Sequence, residues 1–260
     1  MEDGNSSPKE RGKSLKNYDY GINQVGRHPD KITEAIPESI SEKLYNSIVQ
    51  IVLTNSLNQE IYGTGFFMRI SINNTDMKCL FTCKHLISDE DINNNRIIYL
   101  FYGKENEEEK REIKLDKKRR FIKTFYEDVT LIEIIKDDKI SENKYLTPDL
   151  NYENGYNNYR DKNIYLAGYP NTYNERCISS GSIVSISEFE FGHKLFTKPG
   201  SSGSPICNEK GDVIGIHTSN NEQQNINYGS FIGKILDKLK NIIKANVYRN
   251  YKLYICRNLY

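Results

Sequence analysis

The 260 residues contain no tryptophan, and methionine (3), histidine (4), cysteine (5) and proline (7) are sparse. Each scarcity excludes something. The five cysteines, Cys79, Cys83, Cys177, Cys207 and Cys256, form no CxxC pair and have no histidine at zinc-ligand spacing, so neither a disulfide framework nor a structural zinc site is expected. They read as reduced, mostly buried thiols, which suits an intracellular compartment, the cytoplasm or the nucleus. Neither sign of charge dominates, with 36 Lys+Arg against 35 Asp+Glu and a net +1. A nucleic-acid or anionic-membrane partner is therefore not indicated. No run of eighteen apolar residues occurs, and the opening Met1-Glu2-Asp3-Gly4-Asn5-Ser6-Ser7-Pro8 has neither a basic nor an apolar signal region, so no membrane span and no secretion signal are expected.

What the chain does have is aromatic bulk. Hydrophobic residues make up only 37% and the mean hydropathy is −0.68, yet 19 Tyr and 10 Phe supply large apolar bodies, enough for a buried core. The first 40 residues are polar, broken by proline and glycine, and lack an apolar face to offset the entropy of ordering. They read as a flexible arm. From Ser47 on, β-branched and aromatic runs recur at Ile48–Leu53, 61–70, 77–83, 96–102, 129–135, 163–167, 182–187, 213–217 and 226–231, with Asn, Gly and Asp between them. That rhythm predicts an all-β barrel or sandwich. An Asn- and Tyr-rich segment, 137–162, divides the strands into two groups and reads as a surface linker between barrels of about 45–136 and 163–232. Apolar residues at 232, 235, 236, 239, 242 and 243 predict an amphipathic helix over 230–245, capped by Ser230. The acidic-then-basic stretch 105–120 reads as a solvated hairpin, and its tetrad Lys117-Lys118-Arg119-Arg120 resembles a nuclear import signal only as any basic tetrad does. Residues 246–260 have no assigned role.

Chemistry concentrates at Pro199-Gly200-Ser201-Ser202-Gly203-Ser204-Pro205. Glycines on both sides of a serine pair let the backbone approach a ligand closely, as a nucleophile beside an oxyanion hole requires. Ser202 would supply the hydroxyl, and the N–H groups of Gly200 and Ser202 the donors for a developing oxyanion. A serine hydroxyl needs an imidazole to take its proton, and the imidazole needs a carboxylate to hold its tautomer. Of the four histidines, His28 lies in the arm and His193 in a Gly-bearing turn read as a surface feature. His85 closes the apolar strand Cys79–Cys83 and is the best base. Asp128 opens the strand Val129–Ile134 and is the best carboxylate, whereas Asp116 sits among lysines. The chemistry calls for neither a metal nor an organic cofactor.

The order His85, Asp128, Ser202, separated by 43 and 74 residues, resembles the chymotrypsin-like (trypsin-fold) serine peptidases. Thr82-Cys83-Lys84-His85, Asp128-Val129-Thr130-Leu131 and Gly200-Ser201-Ser202-Gly203-Ser204-Pro205 stand where that family carries its three motifs. The resemblance covers residues 45–245 and implies two six-stranded antiparallel β-barrels with a C-terminal helix, a domain over 41–245, an active site in the inter-barrel cleft, and protein or peptide substrates cut through an acyl-enzyme. The chain is most similar to the glutamyl endopeptidases, through Gly63-Thr64-Gly65-Phe66, Ala167-Gly168-Tyr169-Pro170 and Val213-Ile214-Gly215-Ile216-His217. That likeness implies that Thr197 and His217 contact a P1 Glu or Gln, with the substrate laid along His217-Thr218-Ser219. Ser201 replaces the aspartate that pairs with a new N-terminus in trypsin, which argues against zymogen activation by that ion pair. Thr82-Cys83-Lys84-His85 and Gly215-Ile216-His217-Thr218 also resemble motifs of intracellular, chromatin-associated trypsin-like peptidases, which implies apolar P1 residues. Competing readings are an inactive trypsin fold used as a peptide-binding or scaffold module, and a peptidase whose substrate is its own arm.

Overall fold

The computed structural model describes residues 36–257 apart from 56–57, 73–74, 104–108, 117, 120–121, 171–175 and 189, and side chains as far as 245. The arm up to residue 35, including His28, and the side chains of the tail lie outside the described residues.

Seven strands make the first sheet: β1 (Ile48–Thr54), β2 (Glu60–Ile72), β3 (Thr75–Cys83), β4 (Ile97–Tyr102), β5 (Glu109–Lys114), β6 (Ile122–Phe125) and β7 (Val129–Glu133), in the order β5-β4-β1-β2-β3-β7-β6. Six more close a barrel: β8 (Asn163–Gly168), β9 (Cys177–Ile186), β10 (Glu190–His193), β11 (Pro205–Cys207), β12 (Val213–Asn221) and β13 (Ile226–Phe231), in the order β10-β13-β12-β11-β8-β9. Every neighbouring pair that is described runs antiparallel. The all-β, two-part architecture expected from the strand rhythm is present, with a seven-stranded first sheet where six strands were expected. The additional strand explains itself: β5 (burial alternating around Ile113) pairs with β4 along its full length, so the charged stretch read as a solvated hairpin is an edge strand with charges on its outer face.

β1, β2 and β3 read as near-continuous apolar runs because both faces are covered. Ile48, Phe66, Met68 and Phe81 point into the larger core, shared with the barrel, while Val49, Ile51, Phe67 and Leu80 fill a second core under β4 and β5. Alternate residues of one strand thus serve two cores.

Three expectations are corrected. Arg119, part of the basic tetrad, is buried: its guanidinium forks onto Asp138 at 2.6 and 2.8 Å and donates to the Glu133 and Lys114 carbonyls, because burying a guanidinium requires that its donors be engaged. Arg119 is therefore not part of a free basic patch, and Lys117 and Arg120 lie outside the described residues. The Tyr-rich linker is also not a surface feature. Tyr152 and Tyr159 are 6% and 5% exposed; Tyr156 and Tyr159 rest on Phe231, and Tyr152 stacks on Tyr156. Main-chain bonds tie the linker to both halves, Leu146 N to Phe67 O (2.9 Å) and Val213 N to Thr147 O (2.8 Å). Ser230, finally, is no helix cap. It lies in β13 and donates to the Glu127 carbonyl at 2.6 Å, and the terminal helix α3 spans Ile232–Arg257, running through the segment left without a role.

Candidate active site

Histidine 85 follows β3 in a tight turn. Its neighbours Leu86 and Ile87 are buried (4% and 0% exposed) and their amides bond back to Cys83 O, so the polar ring is left outward as its apolar neighbours are drawn inward. Asp128 ends the turn between β6 and β7 with φ +58°, a conformation that a short polar side chain tolerates better than most. Its carbonyl accepts from Lys84 N (3.0 Å), and its carboxylate accepts from the His85 main-chain N–H at Oδ1 (2.9 Å) and lies at His85 Nδ1 through Oδ2 (2.6 Å). With both oxygens engaged by one residue, the ring has one orientation, Nδ1 to the carboxylate and Nε2 away from it.

The serine turn is pinned across the cleft to the first sheet. Thr64 N donates to Ser202 O (2.9 Å), and Thr64 Oγ1 donates to Gly200 O (2.8 Å); Thr82, three residues before His85, donates to Thr64 O (2.8 Å). Gly203 has φ +88°, and a Cβ there would lie 2.0 Å from Thr64 O. Only glycine permits that approach. Ser201 is buried, its hydroxyl accepting from Lys198 N (3.1 Å) while its own N–H donates to Lys198 O (2.9 Å). Locally, then, it closes the turn where trypsin uses an ion pair.

Within this turn the amides divide cleanly. Ser201, Gly203 and Ser204 donate to Lys198 O, His217 O and Ser201 O, whereas Gly200 and Ser202 donate to nothing among the described residues. The Ser202 hydroxyl has no hydrogen bond to His85 in this structure. Such contacts are commonly long without substrate.

Cys83 lies behind the pair. Its thiol donates to His217 O (3.2 Å), and burial followed by the nearby Asp128 charge holds it far above the ordinary thiol range. Although its sulfur, the imidazole and the carboxylate lie within 4.8 Å of one another, it stays a neutral packing group rather than a second nucleophile.

On β12, His217 is joined to the serine turn by its backbone, accepting from Gly203 N and donating to Ser204 O, both at 2.9 Å. Its ring is 3.3 Å from His193 Nε2 through Nδ1. His193, expected on the surface, is completely buried on β10. The signal that could have found it is the alternation Phe191, His193, Leu195, all inward-facing. Burial holds His193 well below the ordinary imidazole range, with His217 adding to the effect, and lowers His217 to about 4; the Tyr228 carbonyl, which faces both rings, opposes each shift. Both rings are neutral near pH 7. Thr197 donates to Asn227 Oδ1 (3.0 Å) and Thr218 to the Tyr228 carbonyl (3.3 Å). Sequence reading did not single out Thr64 or Asn227, since a threonine within Gly-Thr-Gly and an asparagine in an Asn-rich chain carry no signal of their own.

These features define a class: a two-part antiparallel β-fold with a His–Asp pair on one half and a glycine-bounded serine turn on the other. The model of the trypsin-like peptidase domain matches residues 63–216, more than half of the chain, and the chain belongs to that family as a serine endopeptidase acting on protein or peptide substrates. Among solved structures it is similar to a serine endoprotease from Yersinia pestis (16% identity, TM-score 0.56, 81% of this chain and 68% of that one). It is likewise similar to Deg5 (14%, 0.54, 76% and 90%) and to an inactive form of Rv3671c from M. tuberculosis (12%, 0.54, 80% and 91%). At these identities the likeness is one of fold.

Proposed function

We propose that the chain cleaves peptide bonds through an acyl-enzyme formed on Ser202. His85 Nε2 takes the hydroxyl proton as Oγ attacks the scissile carbonyl, and passes it to the leaving amine when the carbon–nitrogen bond breaks. Water then repeats the sequence on the ester, and the acid and free Ser202 are released. Asp128 orients the ring and stabilises its cationic form. The free amides of Gly200 and Ser202 hold the oxyanion, each worth about 10²–10³ in rate. The observation that carries this reading is the 2.6 Å contact of Asp128 Oδ2 with His85 Nδ1, which leaves Nε2 as the nitrogen available to a hydroxyl.

In the same reading, the substrate pairs with β12 along His217-Thr218-Ser219, where the strand passes from buried to exposed, and P1 is a side chain that hydrogen-bonds, glutamate or glutamine, beside Thr197 and His217. Support comes from the polar side chains next to the serine turn, the half-buried Thr197 paired with Asn227 and the buried His217 paired with His193, since a polar P1 suits polar neighbours better than an apolar one. A fluorophosphonate probe tests the mechanism: labelling of the wild type that disappears in Ser202→Ala is expected. Absence of label on folded protein would instead favour an inactive peptide-binding module. Cleavage profiling with a P1 library tests the specificity, and a profile led by apolar residues would remove Thr197 and His217 from the substrate site.

A further inference from the structure

We infer that Glu190 gives this peptidase a preference for lysine or arginine at an even-numbered position upstream of the cut, P2 or P4, bound in a cavity beside β12. The inference rests on the reading above that the substrate pairs with β12, and it holds whatever residue P1 is.

The cavity, about 230 Å³, is lined from the first half by Tyr126, Glu127 and Asp128 of the turn before β7, and from the barrel by Glu190, Thr218 and Ser219, with Ser230 between them. Strand register decides which side of the barrel wall it is on. Glu190 pairs with Ser230 and Ser230 with Ile216, whereas Phe191 pairs with Gly229 and Gly229 with His217. Paired residues share a face and successive residues alternate, so Glu190 and Ser230 stand on the face opposite His217. Neither His217 nor Thr197 lines the cavity. An extended peptide alternates in the same way. With P1 directed to the His217 face, P2 and P4 are directed to the cavity face and P3 is not.

Charge decides what the cavity takes. Three carboxylates line it, and among the described residues no lysine or arginine does. The Asp128 carboxylate is committed to His85. Glu127, its side chain only 7% exposed, accepts the Lys238 ammonium of α3 at Oε1, while its carbonyl accepts from Ser230 Oγ at 2.6 Å. Its Oε2 is buried and accepts from nothing among the described residues. Glu190 differs from both. It is exposed, its N–H and carbonyl bond to Ser187, and its carboxylate has no partner among the described residues. Tyr126, on the same cavity, is 98% exposed, and its ring offers a surface to an aliphatic stem or a guanidinium. Lys84, 5.9 Å from the centre of that ring, is itself paired with Asp89 at 2.9 Å. A basic side chain therefore finds a ring for its stem and an unpaired carboxylate for its head, whereas an acidic one would be repelled. An exposed ion pair with a ring contact corresponds to about fivefold in kcat/KM.

The test uses the full chain and peptides with P1 fixed at the residue that profiling selects, with Lys, Leu or Glu placed in turn at P2, P3 and P4. We expect Lys to exceed Leu about fivefold at P2 or P4, Glu to fall below Leu there, and the Lys advantage to shrink as ionic strength approaches about 1 M, where the screening length is about 3 Å. Glu190→Gln brings the Lys:Leu ratio close to one. Glu190→Lys reverses the order of Lys and Glu, which a variant that is merely misfolded cannot do. A charge preference confined to P3, Leu at or above Lys at all three positions, or a Lys:Glu order that Glu190→Lys leaves unmoved overturns the inference and leaves the peptidase mechanism standing. No cleavage together with no fluorophosphonate labelling of the wild type overturns the reading on which the inference rests.

Discussion

Replacing Asp128 by asparagine keeps the side-chain volume and changes which atoms accept. The main-chain N–H of His85 donates to Oδ1 at 2.9 Å, so the amide oxygen of the substituted side chain is retained there and its NH₂ is turned to the position Oδ2 now holds, 2.6 Å from Nδ1. A donor facing Nδ1 makes that nitrogen the acceptor, and the single proton of the neutral ring moves to Nε2. Nε2 is the nitrogen required to take the Ser202 proton, so the base is blocked without being displaced. The expected loss in kcat for Asp128→Asn is about 10⁴, or about 5 kcal/mol in the barrier, with KM little altered because no P1 contact is touched. The carboxylate is a third exposed, so the thermal midpoint should move by no more than a few degrees. The measurement pairs steady-state cleavage of a fluorogenic peptide with the rate of fluorophosphonate labelling, which should fall together. A loss smaller than tenfold in a folded variant would refute the assigned roles of His85 and Asp128.

Gly203→Ala should lower stability by at least about 2 kcal/mol and abolish cleavage, because its Cβ would meet Thr64 O and its φ is positive; chemical denaturation checks this, and a neutral result would mean that the serine turn is not held against β2. Acid should weaken the fold through His217. Burial lowers its pKa from 6.5 to about 4, so across that window the unfolded chain binds more protons than the native one and stability rises with pH. The contribution is complete above about pH 6.5 and is lost as pH falls towards 4, by up to roughly 3 kcal/mol. Thermal melts of wild type and His217→Gln between pH 4 and 7 should differ in slope in that sense, and parallel curves would refute the assignment.

Much of the architecture is legible in local pattern. β-branched runs at regular spacing mark most strands, since a half-buried pleated surface selects those residues. The apolar period of 232–243 marks the start of α3. The strands missed, β5, β6, β10 and β11, are short or charged, and they form because a neighbouring strand offers them a ladder rather than because their own residues demand it. The Tyr-rich linker shows the same limit: its polar, Asn-laden composition says surface, and only the proximity of Phe231 turns its rings inward.

At the site, residue order alone is enough to pick out the groups proposed to react, because four histidines leave few candidates for a base and a serine between glycines at 200 and 203 is a local, conformational signature. How those groups are aimed is settled by packing. The Gly203 amide is taken by the His217 carbonyl of β12 while those of Ser201 and Ser204 are taken within the turn, and the side chains of His193 and Asn227, from different strands, are both tied to the main chain of Leu195. Residue identity supplies the atoms that can donate or accept, but a proton's position between two of them is a property of the whole network, and that network exists only once distant strands have packed together.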